Sequence, residues 1–208
     1  MIHIIINLMK RSKNHTPEND SLLALYQNGQ FEDAENLALS TTKKFPKNLL
    51  GWKVLAAVLL ASGRASQALV ACQKSIVIDP KDFETFNNMG NVLRELGKLK
   101  QAESIYMQAI ALNPDFAEAH SNLGDTLIAM GLKERALIHF KRNLELVRGT
   151  DPINLKHKSF RTISKAKIDH DIEQFEYLAS SGYDIKKFRE LATLYKTVSS
   201  EINCTLDT

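Results

Sequence analysis

The chain has 208 residues, 44% hydrophobic and 25% charged, the balance of an ordinary soluble folded protein and enough for one or two domains. Its net charge of +3 is too small to argue for a nucleic-acid partner, and its two cysteines, Cys72 and Cys204, exclude a disulfide framework and fit a reducing, cytoplasmic setting. No run approaches the ~20 apolar residues that a membrane-spanning helix needs, so no membrane partner is expected.

Residues 1–14 read as a flexible N-terminus. Met1 to Met9 is apolar but interrupted by His3 and Asn7, and the basic cluster of Lys10, Arg11 and Lys13 follows the apolar run instead of preceding it. With no small-residue cleavage site, this makes a poor signal peptide.

From residue 15 the chain repeats every 34 residues, in windows 15–48, 49–82, 83–116 and 117–150. Gly29, Gly63, Gly97 and Gly131 form one column, Ala34, Ala68, Ala102 and Ala136 a second, and Leu25, Leu59, Leu93 and Leu127 a third. Pro46, Pro80 and Pro114 form a fourth, broken at Arg148. The glycines fall between two apolar-periodic segments, where a left-handed cap ends a first helix. The alanines keep the crossing of two helices close, and the prolines stop the second helix. Phe86, Met89, Gly90 and Leu93 share one helical face, and Ala102, Ile105, Tyr106, Ala109 and Ile110 share another. Each window therefore predicts a helix–turn–helix hairpin. The first window diverges at Glu18, Ser21 and Leu22, so its first helix is expected to be frayed or to act as a cap. The fourth departs at Asn143 and Arg148, which bears on its exit geometry.

The stretches Trp52-x-x-Leu55-Ala56-x-x-Leu59 … Ala68-x-x-x-Cys72 … Pro80 and Phe86-x-x-Met89-Gly90-x-x-Leu93 … Ala102-x-x-x-Tyr106 … Pro114 resemble the tetratricopeptide repeat. The resemblance spans residues 15–150. It implies an all-α solenoid, a right-handed superhelix of stacked hairpins, with its concave wall lined by the first helix of each repeat.

Beyond the array, residues 151–162 form a basic connector. Lys156, Lys158, Arg161, Lys165 and Lys167 lie between 152 and 168 with no acid, whereas residues 15–150 balance at 15 basic against 15 acidic. Residues 163–203 predict a further helix pair, with Ile168, Ile172, Phe175, Leu178 and Ala179 on one face and Phe188, Leu191, Tyr195, Val198 and Ile202 on the other helix. Gly182 separates the two, and Asp184 suits an N-cap. Solenoid ends need a polar outer face, so the pair reads as a C-terminal cap; a short linker domain is the competing reading.

Function is expected on the concave groove. Its candidate residues are Lys53 in the second repeat, Glu84, Asn87, Asn88, Asn91 and Arg94 in the third, and Glu118, Ser121, Asn122 and Asp125 in the fourth. Asn88 and Asn122 are 34 residues apart and so occupy equivalent positions. An asparagine offers a donor and an acceptor, which suits the backbone of an extended peptide. The stretch from Pro114 to Gly124 resembles the repeats of O-linked N-acetylglucosamine transferases, in which an asparagine ladder contacts substrate peptides. A carboxylate clamp of the kind found in chaperone co-factors is rejected. Lys53 and Asn88 fit it, but Ala57 stands where an asparagine is needed, and Glu118 would repel a carboxylate.

Catalysis is not expected, and neither is a cofactor or a metal. The six histidines are scattered, with no His-Glu-x-x-His, Gly-rich phosphate loop or nucleophile elbow. His170 and Asp171 are adjacent and point about 100° apart on a helix, so they do not face one another. His120 stands at a large packing position and reads as a core-edge histidine. The expected role is a non-catalytic adaptor for a protein or extended peptide, with self-association left open. The alternative is a substrate-presenting region of a glycosyltransferase or of an iron- and 2-oxoglutarate-dependent oxygenase whose catalytic domain lies outside this chain.

Overall fold

The computed structural model describes residues 17–148 and Thr193. The N-terminal segment, the basic connector and the C-terminal helix pair lie outside the described residues, as do His170 and Asp171. Eight helices follow one another within 17–148: α1 Pro17–Gln27, α2 Phe31–Lys44, α3 Leu49–Ala61, α4 Ala65–Ile78, α5 Phe83–Glu95, α6 Leu99–Leu112, α7 Ala117–Ala129 and α8 Lys133–Arg148. They pair as four hairpins, each inside its 34-residue window. The first window's opening helix is formed, and its Leu22 is fully buried.

The leucine and glycine columns are two halves of one device. Gly29, Gly63, Gly97 and Gly131 have φ of 72, 72, 69 and 76°. After each glycine, the next amide donates back to the leucine column: Gln30 to Leu25 (2.9 Å), Arg64 to Leu59 (2.8 Å), Lys98 to Leu93 (2.9 Å) and Leu132 to Leu127 (2.8 Å). This is a Schellman cap, which satisfies carbonyls that a helix end would leave bare and needs a residue that tolerates the left-handed region.

The proline column works at the other joint. Asn48 donates to Phe45 across Pro46 (2.9 Å), Asp82 to Asp79 across Pro80 (3.3 Å) and Phe116 to Asn113 across Pro114 (3.1 Å). Each proline is thus the second residue of a tight turn, where its fixed φ is already suitable. At the fourth repeat, Asn143 is not a defect. It is buried and donates through Nδ2 to the Ala117 carbonyl (2.8 Å), which ties the end of α8 to the start of α7.

Neighbouring hairpins stack through α2 on α3, α4 on α5 and α6 on α7. In addition, α1 touches α3, α3 touches α5 and α5 touches α7, while successive second helices make no comparable contact. The layer whose members lie closer together is the inside of the curve. So α1, α3, α5 and α7 form the inner wall, and α2, α4, α6 and α8 the outer one, as in a curved α-solenoid. No helix among the described residues is long and apolar enough to cross a membrane.

Candidate functional site: the inner wall

The inner wall is held by side-chain rungs that step from one first helix to the next. Lys53 on α3 donates to Glu84 on α5 (2.7 Å), and Asn87 on α5 donates to Glu118 on α7 (3.1 Å). Arg94, two turns further along α5, donates to Asp125 on α7 (3.2 Å). All three span 31 residues, so stacking delivers the same reach at successive positions. Asn122 Nδ2 donates to Asn87 Oδ1 (3.0 Å), so Asn87 receives one neighbour and donates to another. At the array's start, Asn48 caps α3 by accepting from the Gly51 amide and uses its Nδ2 to donate to Asn19 (2.9 Å each).

The candidate residues of the wall differ in how far they are buried. Lys53 (6% exposed), Glu84, Asn87 (1%), Ser121 and Asn122 (5%) are buried, while Asn88, Asn91, Arg94, Glu118 and Asp125 are half-buried. Asn88 and Asn122 do hold equivalent helix positions, but their amides are used differently. Asn122 is engaged with Asn87, whereas Asn88 makes no hydrogen bond among the described residues. Asn91 accepts from the Tyr106 hydroxyl (2.7 Å), so a second-helix residue reaches the inner wall.

The electrostatics follow from burial. Lys53 lies 3.0 Å from Asp82 as well as 2.7 Å from Glu84. Burial opposes its charge, but the two carboxylates outweigh that and hold its pKa above the ordinary value. One ammonium cannot fully compensate two buried acids, and burial leaves the Glu84 carboxyl above the usual carboxylate range despite Lys53. Asp82 was not among the sequence candidates, because it sits at the N-cap of α5, outside the helical frame from which those were drawn. On the far side of the groove, burial raises the Tyr26 hydroxyl, and the negative charge of Glu118 raises it further. A first-repeat side chain therefore feels a fourth-repeat charge.

Two side chains outside the wall bear on chemistry. Cys72 is buried, which pushes its thiol up to about 12, so it is a packing residue and not a nucleophile. His120, expected at the core edge, is indeed buried but also paired. Its Nδ1 lies 3.1 Å from His139 Nδ1, and its Nε2 lies 3.1 Å from the Pro114 carbonyl. A carbonyl only accepts, so His120 carries its proton on Nε2, and His139 donates from Nδ1 to the bare Nδ1 of His120. Sequence spacing missed this pair, since its members stand nineteen positions apart on two different helices.

Comparison with known proteins agrees with this architecture. Models described as "Tetratricopeptide repeat" match residues 20–83 and 71–104, and one described as "TPR repeat" matches residues 90–131. No curated protein matches in sequence. Among solved structures, the chain is similar to MamA, with a TM-score of 0.62 and 19% identity over 86% of this chain and 92% of that one. It is similar to residues 41 onward of MamA from Desulfovibrio magneticus RS-1, with 0.60 and 22% over 65% and 76%. It is also similar to pilF of Pseudomonas aeruginosa, with 0.67 and 19% over 87% and 74%. At these identities the similarity is one of fold.

Proposed function

Because the chain belongs to the tetratricopeptide-repeat family, we propose that it is a non-catalytic adaptor that lays an extended segment of a partner protein along the wall of α1, α3, α5 and α7. The observation that carries this reading is the contrast between Asn88 and its neighbours. Lys53, Glu84, Asn87 and Asn122 are locked in rungs that hold the wall's shape. Asn88, half-buried at the middle of the same wall, commits neither its amide donors nor its acceptor among the described residues. A primary amide in that state matches the alternating N–H and C=O groups of an extended backbone. The ten candidates thereby divide into a buried framework and a ligand-facing set of Asn88, Asn91, Arg94, Glu118 and Asp125.

Site-specific photo-crosslinking in the native host tests it. A crosslinker replacing Asn88 should capture a partner, while one replacing Val77, which stands 83% exposed on the outer wall, should not. Capture from position 77 alone would move the binding surface to the outer face and overturn the proposal.

A further inference from the structure

Every large apolar side chain that stands exposed among the described residues lies on a second helix or, for Phe45, directly after one. At the first two hairpins these side chains are interleaved with lysine. On α4, Val70, Lys74 and Val77 follow one another at spacings of four and three and share one face. On α2, Leu39 and Lys43 do the same, and Lys43 holds the position that Val77 holds one repeat later. Phe45 continues the pattern, with the Lys44 ammonium 4.9 Å from the centre of its ring. Lys47 and Lys81, again one repeat apart, follow the two helices at their common edge.

This part of the outer wall is poor in acids. The helix α4 has none, and those of α2 are confined to its beginning, at Glu32, Asp33 and Glu35, the last held by Arg64. Nearer the lysines, Asp79 accepts from the Lys81 amide (2.9 Å), and Glu18 meets Lys44 at 3.8 Å. Lys43, Lys47, Lys74 and Lys81 make no ion pair among the described residues. The later hairpins differ. Asp115 stands where Lys47 and Lys81 stand in their repeats, and Arg142, at the Lys74 position, is taken by Asp115 (2.9 Å) and Glu145 (3.3 Å).

We infer that the outer wall of the first two hairpins lies against an anionic lipid surface, its lysines meeting the headgroups and Leu39, Phe45, Val70 and Val77 entering the boundary between headgroups and acyl chains. Lysines alone would suit any polyanion. Apolar side chains exposed among them are what a lipid boundary rewards in addition. The layout also favours a surface over a strand. Successive second helices make no contact comparable to that between first helices, so the stripes of α2 and α4 stand apart on the convex side. A single extended acidic peptide would engage one stripe, whereas a bilayer meets both. Such docking needs no spanning helix, and it leaves the inner wall turned away from the lipid and open to a partner.

Co-sedimentation of the full chain with vesicles of phosphatidylcholine, alone or with about 30% phosphatidylserine, tests the inference. The anionic vesicles should bind about tenfold tighter or more, and that affinity should fall several-fold between about 50 and 300 mM salt. Lys43→Gln combined with Lys74→Gln should weaken it about tenfold. Lys98→Gln combined with Lys100→Gln, which removes the same charge from exposed positions at the start of α6, should change it by less than about twofold. Val77→Ser should weaken it several-fold with no change of charge. All five sites are exposed, so each variant should keep the unfolding midpoint of the wild type. Equal binding to the two vesicles, or binding to neither, overturns the inference. Anionic binding that survives loss of Lys43 and Lys74 places the contact on other basic residues, such as those of 156–167, and overturns it as well. Equal weakening by the two double variants reduces the effect to net charge and has the same consequence. A ten-residue Glu-Ser peptide that binds tighter than the anionic vesicles, and is lost with Lys43 and Lys74, would assign the face to an acidic protein instead of lipid.

Discussion

The ring of Tyr106 occupies the space in which a Cβ at Gly90 would stand, so the third hairpin closes only because one partner has no side chain. Phe140 and Gly124 repeat the arrangement in the fourth, where a Cβ would lie 2.6 Å from the ring. The same two columns, sixteen residues apart, read Leu22 and Ala38 in the first repeat and Ala56 and Cys72 in the second, and all of these are buried. In the first, third and fourth hairpins a large residue thus faces a small one, with the large one on either helix, while the second pairs two small residues.

Gly90→Ala should therefore destabilise the protein even though alanine is the better helix former. The helix gains about 1 kcal/mol from the lost glycine. Overpacking against a buried aromatic ring costs about 1–3 kcal/mol, and the Tyr106 ring is fully buried. Tyr106→Cys alone should cost about 3–5 kcal/mol through the cavity it leaves. Combined, the two changes rebuild the Ala56 and Cys72 pairing of the second repeat. The double variant should then be more stable than the sum of the single losses implies. Urea denaturation of the four proteins checks the cycle, and strict additivity would refute the exchange of volume.

Neighbouring asparagines on α5 should respond in opposite ways. Asn87→Ala removes the donor to Glu118 and the acceptor from Asn122, leaving polar groups at a buried site and costing about 1–3 kcal/mol. Asn88→Ala breaks no hydrogen bond among the described residues and should leave the unfolding free energy within about 0.5 kcal/mol of wild type. Comparable losses for the two variants would mean that Asn88 belongs to the framework.

Acid should loosen the fourth repeat through its histidine pair. Burial is the main force lowering the pKa of both His120 and His139, the latter to about 4. The positive charges facing them, Arg142 toward His120 and Arg135 toward His139, act in the same direction, while Asp115 and Glu103 oppose it. The folded state thus binds fewer protons than the unfolded chain, so its stability is fully present above the ordinary 6.5 and is lost as pH falls toward about 4. His139→Gln, which can still donate to His120, should flatten this dependence. The unfolding midpoint of both proteins at pH 7 and pH 5 checks it, and an unchanged pH slope in the variant would place the acid sensitivity elsewhere.

Much of the fold was legible because its devices recur at the chain's own period. The four leucine–glycine pairs are caps of one kind, and Pro46, Pro80 and Pro114 are turns of one kind, so 34-residue columns expose them. The first window looked divergent because Leu22 and Ala38 exchange roles, which is visible only when two columns are compared with each other. The rungs were not legible. A reach of 31 residues reflects how far stacking advances one first helix past the next, and that is a property of the assembled curve. For the same reason Asn88 and Asn122 look identical in sequence and differ in the structure: Asn122 has Asn87 on the preceding repeat to bond with, and the residue that precedes Asn88 in that way is Lys53, whose ammonium is taken by Glu84 and Asp82.

The Lys53 cluster gives the most demanding test of the rung framework. Its ammonium lies 3.0 Å from Asp82 and 2.7 Å from Glu84, two buried carboxylates. Lys53→Ala would leave both acids buried without it, and breaking a buried pair from one side costs about 3–5 kcal/mol. That penalty arises from charge, so it should shrink when the carboxylates are protonated. Glu84, already raised by burial, should accept a proton more readily still once Lys53 is gone. The variant should accordingly lose most stability relative to wild type near pH 8 and markedly less near pH 5. Lys53→Met, which keeps the length of the apolar stem, should show the same pH trend with a smaller packing loss. A penalty that stays constant across that range in both variants would assign the effect to packing and remove the ion pair from the set of interactions that hold the second and third repeats together.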